Sequence, residues 1–430
     1  MSAVLDYPVK PEARPYLDAF GKIAGEPEWL SRERQRALNR FAELGFPSRR
    51  SENWRYLDLQ PLQREPLHPG EPRSDVQPPA ELQLDGAGAR LILVDGHCRG
   101  AVLRDLPEGV WLGSMRQAIE ERTDLVRAAS LGEVDAEHPF DALNAAYFED
   151  GFVLDIAPDV SIDGPIQIIH FASMRGAVHT RNVIRLGEGS RATILETYAG
   201  EGRYWRNDVV AVRLGARAEL TRAVLVEEAG EAVHLAEVEA TLGADARFSG
   251  FALLLGGGTV RHEVSVRMAG EGAQCRLDGA FIVGGSEEAN IVTTVDHQVP
   301  HGETREMIKG VAAGRAHGAF QGKIIVREHA QKVDAHQLSR NLILGQRAVI
   351  DTKPELEIYA DDVKCSHGAS VGELDQTALF YLRSRGIPDA EARHMLVEGF
   401  LREPVEAIAD PALREHLLGR LAQRLERLEG

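Results

Sequence analysis

A leucine–glycine step recurs through the middle of the chain at a nearly constant interval. Leu186-Gly187, Leu214-Gly215 and Leu242-Gly243 stand 28 residues apart, Ala269-Gly270 follows after 27, and Leu344-Gly345 repeats the step after an insertion. Behind four of these glycines the sequence reads G-x-x-A-x-φ, with φ apolar: GARAEL at 215–220, GADARF at 243–248, GEGAQC at 270–275 and GQRAVI at 345–350. Alternating runs such as TRAVLVEE and SGFALLLG come next. A fixed period of this size marks a solenoid, in which each unit buries its apolar face on its neighbour because it cannot do so alone.

Glycine and proline usage says what the units are made of. No proline occurs from 166 to 299, whereas 25 glycines fall between 151 and 345. A proline-free, Val/Leu/Ile-rich segment punctuated by glycine is a sheet with many corners, not a helix bundle. Strand–corner–strand units without intervening helices predict a mainly β fold built on a β-solenoid, or parallel β-helix. An antiparallel sandwich with evenly spaced turns is the competing arrangement.

The flanks differ in character. Leu38, Phe41, Ala42 and Leu44 recur at helical spacing in EWLSRERQRALNRFAELG, and Gly45-Phe46-Pro47 stops that run. Six of the 20 prolines then fall within 61–79, which reads as an extended linker unable to hold a helix or a central strand. Towards the carboxyl terminus Asp375 caps a predicted helix that Gly386-Ile387-Pro388 ends, and a second follows through Ala392, Met395, Leu396 and Phe400. Asp410-Pro411 opens a third, with Leu413, Leu417, Leu421, Leu425 and Leu428 in one stripe and Arg414, Arg420, Arg424 and Arg427 mostly off it. Such helices either cap the solenoid or dock a partner. The expected organisation is therefore a helical region over 1–60, a linker over 61–90, a β core over 91–373 and a helical region over 374–430 in place of the three equal domains that 430 residues would suggest.

Charge and cysteine content narrow the function classes. With 49 basic and 66 acidic residues the net charge is −17, which argues against nucleic-acid or anionic-membrane binding. The opening residues lack the apolar core of a signal peptide, no apolar run is long enough to span a bilayer, and three cysteines make no disulfide framework. A cytoplasmic protein is expected. A secreted β-helix lyase or esterase would need sugar-stacking aromatics, but these make up only 6% of the chain.

Three cysteines remain to be placed. Cys275 fills the repeat slot taken elsewhere by Leu220, Phe248 and Ile350, and is expected to be a core residue. Cys98, in VDGHCRG, follows a strand at a turn and reads as structural. Cys365 and His367 lie two apart in YADDVKCSHGASVG, so an extended backbone projects thiol and imidazole to one face, and Gly368 is expected to break the strand and leave them accessible. Thiolate with imidazole suits zinc, copper or an iron–sulfur cluster, yet two ligands cannot close a tetrahedral site and no CxxC or HxxxH stands nearby. A Cys–His nucleophile or a half-site completed by another chain are both open. Lys364 and His367 favour the thiolate while Asp361 and Asp362 oppose it, so the spacing leaves the direction of any pKa shift undetermined. His297, His301, His317, His329 and His336 match no ligand motif and read as strand-edge polar residues. There is no Walker-type phosphate loop; GAFQGKI at 318–324 is one residue short and lacks the hydroxyl.

The run DAHQLSRNLIL, with TKPELEIYADDVKCSHGA and FYLRSRGI behind it, closely resembles the SufB/SufD family of iron–sulfur cluster assembly scaffold proteins. CSHGASVG and the tryptophan-containing SENWRYLDL at 51–59 are more similar to its SufD branch than to its SufB branch. The resemblance implies a right-handed parallel β-helix with helical ends, paired with SufB through the β-helix and with the SufC ATPase through the C-terminal helices, and a possible homodimer when alone. It further implies a non-catalytic scaffold that binds no nucleotide itself and shares a transient iron–sulfur cluster with SufB. The family's histidine ligand then corresponds to His367, with Cys365 matching the neighbouring cysteine.

Overall fold

The computed structural model describes residues 9–21, 25–70, 72, 73, 75–104, 106–130 and 138–429. Its centre is a β-solenoid of about 8 turns, in which successive strands alternate between two stacked sheets. The nine-stranded sheet runs from Val110–Ser114 and Phe152–Ile156 through Gly176–Leu186, Tyr204–Leu214, Val233–Leu242, Thr259–Met268, Glu288–His297 and His317–Val326 to Val349–Ile358. The ten-stranded sheet runs from His97–Leu103 and Ala89–Val94 through Ser161–Ala172, Arg191–Gly200, Glu219–Glu227, Arg247–Gly256, Gln274–Val283, Glu303–Ala312 and Asp334–Ile343 to Lys364–Gly372. Apart from the first pair of each sheet, neighbours pair in parallel, which excludes the antiparallel sandwich.

The repeat is a corner. The Gly215 N–H donates to the Leu186 carbonyl at 2.9 Å and the Gly243 N–H to Leu214 at 2.9 Å, so the ladder continues around the bend. The coils touch backbone to backbone there: a Cβ on Gly215 would lie 2.8 Å from the Glu188 nitrogen, and one on Gly270 would run into the Ala244 backbone. Two residues on, Arg217 and Asp245 take φ of 55° and Gly272 takes 73°, the left-handed conformation that turns the chain inward. The alanine that follows (Ala218, Ala246 or Ala273) is buried against its equivalents, and Leu220, Phe248 and Cys275 then stand in register inside the lumen. Cys275 is thus the core residue that its repeat position predicts.

The two ends are built differently. At the N-terminal end Asp95 and Gly96, with φ of 51° and 81°, make a tight hairpin that folds His97–Leu103 back antiparallel on Ala89–Val94. Val110–Ser114 does the same to Phe152–Ile156. At the C-terminal end Val349–Ile358 and Lys364–Gly372 are the last strands of their sheets and present parallel edges.

Helices pack on the flanks, not across the open end. Glu28–Leu44 ends at Gly45 as expected and lies with the wholly buried helix Pro139–Tyr147 on the outer face of the nine-stranded sheet, around Trp205 and Leu235. The proline-rich stretch departs from the linker reading. It holds the short helix Gln60–Arg64, with Pro61 in the first turn where its missing N–H costs nothing, and it buries Leu62, Leu67, Leu82 and Leu84. Asp375 accepts from the Thr377 N–H at 2.8 Å and Asp410 from the Leu413 N–H at 2.8 Å, the two caps read from the sequence. The leucine stripe of Pro411–Glu429 packs Leu413, Leu417, Leu421 and Leu425 against Leu253, Leu255 and Leu225 of the ten-stranded sheet. Arg420 pairs with Glu227 at 2.8 Å, and Lys309 donates to the Phe400 carbonyl of Asp389–Glu406 at 2.8 Å. The stripe is consumed by the solenoid flank; Phe380, Tyr381 and Met395 stay exposed on the two preceding helices.

Candidate metal half-site

The terminal strand Lys364–Gly372 pairs on one side only, placing Cys365 beside Ala335 and His367 beside Gln337. Ala335 and Gln337 are buried in the lumen, so Cys365 and His367 occupy the same inward columns at the uncovered end of the stack. The shared face expected from their spacing is present. Gly368 does not break the strand, which continues to Gly372; access comes from the absence of a following coil among the described residues. Cys365 is half-buried against Ile324, Val326, Val333 and Ala335, whereas His367 is exposed. Burial pushes the Cys365 thiol up, Asp334 pushes the same way, and the Ala335 backbone N–H works against both. The lone chain therefore favours the thiol, resolving a direction the sequence left open. Among the described residues no group of three or more His, Cys, Asp or Glu side chains could hold a metal ion.

Register extends both columns into the lumen. One runs Leu220, Phe248, Cys275, Thr304, Ala335, Cys365; the other ends Leu277, Glu306, Gln337, His367. Glu306 accepts a short hydrogen bond from the Gln337 amide, and burial pushes its carboxyl up to about 7. His297, read as strand-edge, instead faces the lumen: its Nε2 lies 2.9 Å from Thr304 Oγ1, and burial pushes it down to about 4. His317 pairs with Asp351 at 2.8 Å and His336 meets Ser366 across strands, both on outer faces. Cys98 is half-buried at the opposite end, its N–H bonded to Asp150 at 3.0 Å and its thiol pushed up by burial, in keeping with a structural role. GAFQGKI lies within the strand His317–Val326, where no loop exists to cradle a phosphate.

Sequence reasoning missed a second polar region deeper in the lumen. Arg206 pairs with Glu228 at 2.6 Å, Glu228 also meets His234 at 2.9 Å, and Arg222 grips both oxygens of Glu196 at 2.6 and 2.9 Å. Tyr198 donates towards Glu196 and Asp208. Burial alone would disfavour the Glu228 anion, yet Arg206 and His234 hold its pKa down at about 2. The available signal was charged residues at inward-facing alternate positions in ILETYAG and YWRNDVV.

Residues 169–400 match the family described as "SUF system FeS cluster assembly, SufBD core domain", and residues 91–168 match "SufBD protein N-terminal region". The border between the two falls inside the strand Ser161–Ala172, so both describe one continuous solenoid. The chain is 31% identical to the iron-sulfur cluster assembly protein SufD of Escherichia coli (strain K12), over 92% of this chain and 93% of that protein. It is 26% identical to SufD of Bacillus subtilis (strain 168), over 96% and 97% respectively.

Proposed function

The chain belongs to the SufB/SufD family of iron–sulfur cluster assembly proteins, and from that premise we propose that it is the SufD-like scaffold subunit of such a machinery. In this reading it pairs with SufB through the open strand edges, and a nascent cluster forms between the two chains with His367 as this chain's ligand and Cys365 beside it. The observation that carries the reading is the position of His367 and Cys365 on a terminal strand whose other edge is unpaired. A structural metal site closes on four ligands of one chain, whereas an assembly site must release its product. Ligands split between two chains allow a small rotation to open the site.

SufC, the ATPase of the system, docks in this reading on the C-terminal helices. Phe380, Tyr381 and Met395 are the apolar side chains left for it there, because the leucine stripe is already spent. Nucleotide chemistry is then the partner's, and this chain is a non-catalytic scaffold in the cytoplasm. No helix of the described residues is long and apolar enough to cross a membrane.

Anaerobic reconstitution with SufB and SufC, followed by cluster absorbance, tests the proposal. His367→Ala should lose most of the cluster signal while the complex still assembles by size exclusion, and Cys365→Ala should lose less. An undiminished signal from His367→Ala in the intact complex would reduce the chain to an interaction scaffold without a ligand of its own.

A further inference from the structure

We propose that Gln337 is a positioning residue for His367: its side-chain carbonyl accepts the N–H of the imidazole nitrogen that does not hold iron, and so sets the orientation of the ring. This rests on the reading of His367 as a cluster ligand and adds a residue to it.

Three observations converge on Gln337. It is the register partner of His367, one strand below it in the same inward column, where side chains stand about 4.8 Å apart. Its amide nitrogen is committed, since Nε2 donates to Glu306 in the next coil. Its Oε1 is buried without a hydrogen-bond partner, although the side chain is only 2% exposed. The seat is shaped from across the lumen as well. Gly322 of the facing sheet leaves the space that the amide fills, and a Cβ there would run into Gln337 Nε2. An amide whose nitrogen is anchored offers one remaining function, an acceptor, and buried acceptors are rarely left unmade.

The next side chain in the column is the exposed imidazole of His367, which makes no hydrogen bond or ion pair among the described residues. A metal-bound imidazole has one nitrogen on the metal and an N–H on the other, and that N–H is almost always given to a carbonyl or carboxylate, which fixes the tautomer. Gln337 supplies such a carbonyl from this chain's own core, and Glu306 holds it in place.

The test uses the reduced chain in its complex with SufB and SufC, which completes the half-site, with zinc ion as the probe. Glu306→Gln serves as the reference, because it keeps an acceptor for the Gln337 amide without stranding a buried charge, and Glu306→Gln/Gln337→Leu removes the carbonyl. The double variant should bind zinc about tenfold or more weakly than the reference. In ¹⁵N-histidine spectra of zinc-loaded protein its His367 N–H should exchange rapidly with water, whereas the reference keeps a protected N–H. Gly322→Ala, which retains Gln337 but disturbs its seat, should move both readouts the same way. Equal affinity and equal N–H protection in reference and double variant, with His367→Ala losing zinc, would overturn the role of Gln337 and leave the ligand assignment standing. Undiminished zinc binding by His367→Ala would overturn the ligand assignment itself, and Gln337 with it.

Discussion

Inside the solenoid, the coils around Tyr198 and the coils beneath His367 treat buried carboxylates in opposite ways. Around Tyr198 the charges are matched within the chain: Arg206 with Glu228, Arg222 with Glu196, and Asp208 held by Thr180, Asn182 and Tyr198. Beneath His367, Glu306 meets a neutral amide, and Glu306 Oε1, Gln337 Oε1 and Asn341 Oδ1 are buried without hydrogen-bond partners. The first region is matched in its charges, and what it leaves without a hydrogen-bond partner are imidazole nitrogens, both of His170 and Nε2 of His234. The second has the composition of a surface waiting for a complement, though it lies in a core.

The largest effects should come from disturbing the matched region. Arg206→Ala or Glu228→Ala strands a buried charge and should cost about 3–5 kcal/mol in denaturant unfolding. A loss below about 1 kcal/mol would show that water reaches the lumen there and would erase the contrast. Next comes Glu306→Gln, which should be close to neutral at pH 4 and stabilising at pH 8 by up to about 3 kcal/mol. The sign follows from a folded-state pKa near 7 against an unfolded value of 4.5: the native protein holds a proton that the unfolded chain releases. Wild-type stability from this group is full below pH 4.5 and is lost as pH rises through 7. A pH-independent difference between the two proteins would place Glu306 in contact with solvent.

Glycine separates corner from end on a smaller scale. Gly270→Ala drives a methyl into the backbone of the previous coil and should cost about 1–3 kcal/mol, whereas Gly372→Ala meets nothing within 4 Å and should be neutral in thermal unfolding. The smallest expected change is that of His367→Ala, within about 0.5 kcal/mol of wild type, since an exposed side chain on a terminal strand supports no packing. If His367→Ala unfolded more readily than that, the residue would be serving the fold and not a second chain.

These differences also explain what could be read from the residues beforehand. The corner is legible because two coils approach backbone to backbone at Gly215 and Gly243, and the next inward slot is filled by a small, fully buried residue, Ala218 or Ala246. The same slot logic put Cys275 in the core, and the carboxylates of Asp375 and Asp410 marked helix starts by the N–H groups they satisfy. The matched charges are illegible for the converse reason. Arg222 and Glu196 are 26 residues apart, and nothing local in either strand announces that the other will face it. His297 was misread because a buried neutral imidazole and an exposed one look alike until a partner such as Thr304 is placed. Composition also misjudged the proline-rich stretch, since prolines that forbid a helix interior are tolerated in a first turn such as that of Gln60–Arg64. Cys365 and His367 could be paired from spacing alone, but whether a further coil covers them depends on where the stack stops.

Where the stack stops also makes the solenoid a gauge. Each coil adds one strand to each sheet, an advance of about 4.8 Å. The separation between the hairpin-closed end at Ala89–Val94 and the strand carrying His367 is therefore a whole number of such steps. Gain or loss of one repeat unit would leave every corner and every lumenal pairing rule unchanged. It would move the half-site along the axis by a single increment, relative to the helices that flank the barrel of coils.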